Sequence, residues 1–150
     1  MADTKTAEAK RYLIFKLEKE EYGIDISKVT TIIEKDMEIT RVPKLPCFMK
    51  GVINLRGDII PVVSIRLRFD LTEDVYNSET RIIIIKMEEA SVGLLVDSAT
   101  EVIEMPDSCI ENSSNVVSDI SLDYIIGVGR VGDKVVTLLN IESLVALRDD

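Results

Sequence analysis

The chain repeats itself. Shifted by 70 positions without a gap, residues 11–34 lie on residues 81–104 with eight identities among 24 aligned positions: Arg11/Arg81, Ile14/Ile84, Lys16/Lys86, Glu18/Glu88, Gly23/Gly93, Thr30/Thr100, Ile33/Ile103 and Glu34/Glu104. Unrelated segments of ordinary composition would share roughly one or two. A second pair follows at a shift of about 76, where Gly51-Val-Ile-Asn-Leu-Arg-Gly57-Asp58 resembles Gly127-Val-Gly-Arg-Val-Gly132-Asp133 with small gaps, and Pro61-Val-Val-Ser-Ile65 resembles Thr137-Leu-Leu-Asn-Ile141. The order of segments is therefore a, b, a′, b′. The polar, acidic stretch 70–79 is the natural connection between two similar halves.

Each half reads as strands. Residues 12–17, 81–87 and 92–96 are short runs dense in Ile, Val, Leu and aromatics, too short and too β-branched for helices. Residues 51–56 and 59–63 read as a hairpin around a Gly57-Asp58 turn, and 124–131 and 134–139 as a second around Gly132-Asp133. Pro61 inside its run suggests an edge or bulged position. Helical spacing is confined to Ser27-Lys-Val-Thr30, a turn near Ile65-Arg-Leu-Arg68, and residues 141–147, with Asn140 as N-cap. Roughly five short strands per half is about the number that closes a small antiparallel barrel and removes exposed sheet edges. The expectation is an all-β chain of two small barrels packed on each other.

The chemistry this sequence lacks is as informative. There is no histidine in 150 residues, which removes Ser-His-Asp and Cys-His activation and the commonest metal ligand. The acidic residues fall in runs such as Glu18-Lys-Glu-Glu21 and Glu88-Glu89, the pattern of a solvated face rather than a catalytic pair. Gly127-Val-Gly129-Arg-Val-Gly132 fits a dinucleotide fingerprint, but a strand rather than a helix follows it and no acid stands about 20 residues on. No Walker A sequence occurs. Cys47 and Cys109 lack metal-site spacing and read as small buried hydrophobes. No cofactor or metal is expected.

A net charge of −9 and a pI near 4.6 argue against nucleic-acid or anionic-lipid binding. No apolar run approaches the roughly 18 residues of a membrane span, and residues 1–10 form a polar tail, expected to be flexible, without a signal-peptide core. Asn112-Ser-Ser114 has glycosylation spacing that carries no weight without a secretory signal. With 46% apolar residues, a chain of this length hides about 68–70% of its unfolded surface, so residues 11–150 read as one domain. Two other readings stay open: a small enzyme or ligand-binding barrel with a carboxylate pocket, and an SH3-like module for Pro-rich peptides. Three Phe, four Tyr and no Trp would supply the aromatic groove of the latter poorly.

Phe15-x-Leu17, Glu21-Tyr-Gly-Ile-Asp-Ile26-x-x-Val29, Val42-Pro-x-x-Pro46-x-Phe48-x-Lys50-Gly51-Val-Ile-Asn-Leu-Arg-Gly57-x-Ile-Ile-Pro-Val-Val63 and Val92-Gly-Leu-Leu-Val-Asp97 resemble the CheW chemotaxis adaptor family. The string Asn54-Leu-Arg-Gly57 is the most specific piece, and the likeness runs from about Tyr12 to Leu147. The fold also occurs in the kinase CheA and in CheV, and the absence of kinase or receiver domains matches the stand-alone adaptor. The resemblance implies two SH3-like five-stranded barrels sharing a hydrophobic seam, and no catalytic step. It also implies a cytoplasmic scaffold that joins the cytoplasmic tips of methyl-accepting chemoreceptors to the regulatory domain of CheA in membrane-anchored arrays.

Carried over by position, Val29 and Gly51 match sites of receptor or kinase coupling, and Asn54, Leu55, Arg56 and Gly57 form the motif turn. The stretch from Val29 through Thr31 to Ile32 is a candidate for a receptor helix, and strand edges and glycine hairpins for the kinase. The sequence departs from the family twice. Thr31 stands where an acid commonly pairs with the motif arginine, and Ser64 replaces the usual Asp after Pro-Val-Val.

Overall fold

A computed structural model describes residues 10–34, 38–72, 75–88, 90–112 and 124–145. In chain order the strands are β1 (Lys10–Leu17), β2 (Glu20–Asp25), β3 (Val29–Glu34), β4 (Met49–Leu55), β5 (Asp58–Ser64), β6 (Arg81–Lys86), β7 (Ser91–Val96), β8 (Ser98–Met105), β9 (Ile110–Asn112), β10 (Ile125–Val131) and β11 (Lys134–Leu139). Two one-turn helices, α1 (Ile65–Arg68) and α2 (Ile141–Leu144), follow β5 and β11. The fold is all-β with two SH3-like subdomains on a shared seam, as expected. Lys10 already belongs to β1, and residues 1–9, like the expected helical residues 146–147, lie outside the described residues.

The two barrels are not the two sequence halves. One sheet runs β8-β1-β2-β11-β10-β9 and the other β3-β6-β7-β5-β4, so each takes a hairpin from one half and its remaining strands from the other. The equivalences show in the register. A short parallel ladder joins β2 to β11 at Tyr22/Thr137 and Gly23/Leu138, and its repeat joins β7 to β5 at Gly93/Val62 and Leu94/Val63. The identity Thr30/Thr100 marks a bulge in each sheet, where the pairing of β3 with β6 and of β8 with β1 slips by one residue. One sheet has six strands rather than five because β9 adds to β10.

This interleaving explains the unbroken apolar runs. Strands buried on both faces read as continuous rather than alternating hydrophobics. On β1, Leu13, Phe15 and Leu17 enter the central core while Tyr12 and Ile14 fill the six-stranded subdomain; on β6, Ile83 and Ile85 enter the same central core while Ile82 and Ile84 fill the five-stranded one. Each such side chain contributes about 2 kcal/mol on burial. The central core draws on both sheets and is the seam, crossed by a row of rings from Phe15 through Tyr22 and Phe69 to Tyr124 with centroids 5.4–5.7 Å apart. Burial first, then Glu20 and Glu18, pushes the Tyr22 hydroxyl up to about 12.

The helices are stapled across the seam. Ser64 Oγ accepts from Leu67 N at 3.1 Å and Asn140 Oδ1 from Ser143 N at 3.4 Å, so the departure at Ser64 keeps an N-cap. Arg68 donates through Nε to Leu144 O and through Nη2 to Ser143 O, both at 3.1 Å, with its guanidinium over the Phe48 ring. Arg66 grips Asp97 with two 2.7 Å bonds, and Asp97 also accepts from Glu18 N at 2.8 Å. Burial opposes the Asp97 charge, but these donors outweigh it and hold the carboxyl below its ordinary range.

Three local readings change. The first hairpin turns on Arg56-Gly57, since Leu55 pairs with Asp58 and leaves only those two residues outside the ladder. Pro61 lies on a strand with neighbours on both sides, but one residue before the ladder to β7 begins, so no bond of that ladder is asked of it. Cys47 is exposed and Cys109 half-buried, both as free thiols, because Cys47 follows Pro46 in a surface segment before β4 starts.

Candidate functional site

The motif turn is built by its own residues. Asn54 Oδ1 accepts from Gly57 N at 3.0 Å, and Arg56 and Gly57 both take left-handed backbone, at φ +55° and +92°. Two consecutive positive φ values match the right-handed twist of the flanking strands. The repeat-equivalent of Arg56 is Gly132, at φ +61°. An arginine here costs about 1–2 kcal/mol that a glycine would not. Arg56 is exposed and forms no ion pair among the described residues. Leu55 is half-buried against the core of the five-stranded subdomain.

Beside it stands a residue that sequence reasoning missed. Ile59 pairs across with Asn54 and is 62% exposed. The signal was a period of two, since Ile60 and Val62 fill the subdomain core and Ile59 must face the other way.

Val29, Thr31 and Ile32 lie on β3, an edge strand paired only with β6. Val29 is half-buried against the central core, whereas Thr31 and Ile32 are exposed, Ile32 by 40%. Strand order puts β6, β7 and β5 between this group and β4, so along the sheet the two groups sit at opposite edges. Gly51 belongs to neither. It is buried in a bulge at φ +142°, where a Cβ would overlap the Thr40 carbonyl, and Gly127 meets the Glu111 carbonyl in the same way. Both are packing glycines.

The sister subdomain shows what Thr31 and Asp58 have become. Their repeat-equivalents are Glu101 and Lys134. Lys134 Nζ donates to Glu101 and to Glu21, the latter at 3.5 Å, and Glu101 in particular raises its pKa. Glu101 and Lys134 lie on strands separated by β1 and β2, so their contact marks the curl of that sheet into a barrel. The five-stranded subdomain has no such ion pair at Thr31, and Arg56 makes none among the described residues.

Gly127, Gly129 and Gly132 lie in the β10–β11 hairpin with no helix after them. Among the described residues no group of three His, Cys, Asp or Glu side chains could hold a metal ion, and no helix is long and apolar enough to cross a membrane. What the site offers is surface: a guanidinium and exposed isoleucines on a rigid hairpin and an edge strand.

The CheW-like domain model matches residues 11–149. A chemotaxis protein CheW of Klebsiella aerogenes is 35% identical over 135 residues, covering 90% of this chain and 81% of that protein. One from Bacillus subtilis is 39% identical over 128 residues, covering 83% and 80%. The crystal structure of the scaffolding protein TtCheW from Thermoanaerobacter tengcongensis superposes with a TM-score of 0.84 at 34% identity, covering 91% of this chain and 92% of that one.

Proposed function

The chain belongs to the CheW-like domain family, and from that premise we propose that it is a non-catalytic cytoplasmic scaffold of chemotaxis signalling. It couples the cytoplasmic tips of methyl-accepting chemoreceptors to the regulatory domain of the histidine kinase CheA, at membrane-anchored arrays. The observation that carries this reading is Arg56: an exposed arginine held in left-handed backbone where the other half of the same chain uses glycine. Such strain persists where function keeps it, and arginine is among the residues that dominate protein interfaces.

In this reading the Asn54–Gly57 hairpin, with Arg56 and Ile59 at its face, docks the regulatory domain of the kinase. Val29, Thr31 and Ile32 on β3 take an apolar face of the receptor's helical hairpin. Gly51 acts through packing alone, holding the segment at Thr40 against β4.

The test is calorimetric titration of the purified protein with the regulatory domain of its cognate CheA and, separately, with a receptor-tip fragment. Saturable binding to both is expected. Arg56→Ala should weaken the kinase complex by about tenfold or more, or ~1.4 kcal/mol, with an unchanged circular dichroism spectrum. Wild-type protein that is folded yet binds neither partner would overturn the reading.

A further inference from the structure

Residues 39–57 contain four cations, Arg41, Lys44, Lys50 and Arg56, and no acid, in a chain that carries 27 Asp and Glu among 150 residues. The first three line a groove of about 720 Å³ on the five-stranded subdomain, with Met49 and Leu67 half-buried in its wall and Val42, Leu45 and Tyr76 exposed along it. That volume is in the range of clefts that bury most of a small ligand's surface. Arg41 and Lys44 make no ion pair among the described residues, whereas Lys28, Arg66, Arg130 and Lys134 each hold a carboxylate.

The segment is preformed. Thr40 and Val52 exchange two backbone bonds of 2.7 and 2.8 Å at one end, Pro46 O accepts from Met49 N at 2.9 Å at the other, and Pro43 and Pro46 restrict the chain between. A preformed groove orders little on binding, which lowers the entropic cost.

We infer that this groove is a docking site for a short acidic segment of a partner protein, anchored by an apolar side chain among Val42, Leu45 and Tyr76 and steered by Arg41 and Lys44. Charge complementarity selects the occupant. The overall −9 repels acidic chains from the surface at large, so a groove whose lining carries three cations and no acid is where such a segment settles. The inference goes beyond the proposed scaffold role, since it concerns residues 39–50 and does not use Arg56.

The experiment is a fluorescence-anisotropy titration of the full chain with a labelled twelve-residue peptide of Glu and Leu, and with the same peptide carrying Gln for Glu. Backbone amide chemical shifts locate the binding. Saturable binding of the Glu peptide is expected, about tenfold or more weaker for the Gln peptide and for Arg41→Glu/Lys44→Glu, and weakened by salt. Shifts should cluster at residues 39–50 and Tyr76, and Arg56→Ala should leave the affinity unchanged. The inference is overturned by no saturable binding at millimolar peptide, by equal affinity in the charge-reversed variant, or by shifts elsewhere. It is equally overturned if the wild type but not that variant sediments with phosphatidylserine vesicles in preference to binding peptide, which would make the groove a lipid site.

Discussion

The hairpin at Arg56 and the hairpin at Gly132 are two solutions to one structural problem. Both close a pair of strands with a two-residue loop, both follow a bulge whose glycine admits a neighbouring carbonyl, and both lead into a capped one-turn helix. They part at the tip. One carries glycine in the left-handed turn and a lysine paired with acids at its base; the other carries arginine in that turn and no such pair. The fold is satisfied by the glycine version. What distinguishes the arginine version is therefore not required for folding.

The comparison is broken most forcefully at the bulges. Gly51→Ala and Gly127→Ala each drive a Cβ into backbone carbonyl oxygen, and each should cost about 3 kcal/mol in urea-unfolding free energy. Similar losses would uphold the equivalence of the halves; a mild effect at only one would sink it.

Next in size are the ion pairs at the helix starts, where the halves differ again. Arg66 and Asp97 are 12% and 25% exposed and joined twice, while Lys28 and Glu142, at 43% and 64%, meet once at 3.5 Å. Discounted for partial solvent screening, Asp97→Asn should cost about 1–2 kcal/mol, and Glu142→Gln less than about 0.5 kcal/mol. The pH dependence follows from the lowered Asp97 carboxyl. Its folded value lies below the unfolded one, so its stabilisation is complete above roughly pH 4 and is lost as pH falls through the folded value. Unfolding followed from pH 7 to pH 2 should show this acid-side loss flattened in Asp97→Asn and retained in Glu142→Gln.

The sharpest test is at the tips. Arg56→Gly should stabilise the protein by about 1 kcal/mol or less, and Gly132→Arg should destabilise it by about 1 kcal/mol, as read in midpoint shifts at constant slope. If Arg56→Gly were instead destabilising, the arginine would be a structural residue and its value as a marker of function would vanish.

Much of this was legible in the chain before any coordinates. The repeat and the short β-branched runs carried the strand content, the two-barrel class and the capped ends, because periodicity and turn chemistry are local properties. The interleaving was not legible. Self-similarity says which segments resemble each other but not which copies pair, and strand pairing is settled by packing between distant residues. The first hairpin turn falls one residue before Gly57-Asp58 because arginine, which residue type alone does not mark for left-handed backbone, adopts it beside Gly57. Among the candidate site residues, Asn54 and Gly57 lie where turn chemistry places them, whereas Gly51 is buried under Thr40. Ile59 escaped notice because both neighbouring isoleucines look like core until the alternation is phased.

The exchange of strands between halves has a consequence for how the protein is made. On an emerging nascent chain, β1 and β2 have no sheet to join: Tyr22 waits for Thr137, about 115 residues downstream. β1 with β2 and β4 with β5 can pair as they emerge and the five-stranded sheet can close once β7 ends at Val96, but the six-stranded sheet closes only when nearly all the chain is available, which predicts late completion of a fold of high contact order. The same entanglement means that a nick in the connection at 70–79 would not release two modules but leave two fragments holding one another, each supplying strands that the other lacks.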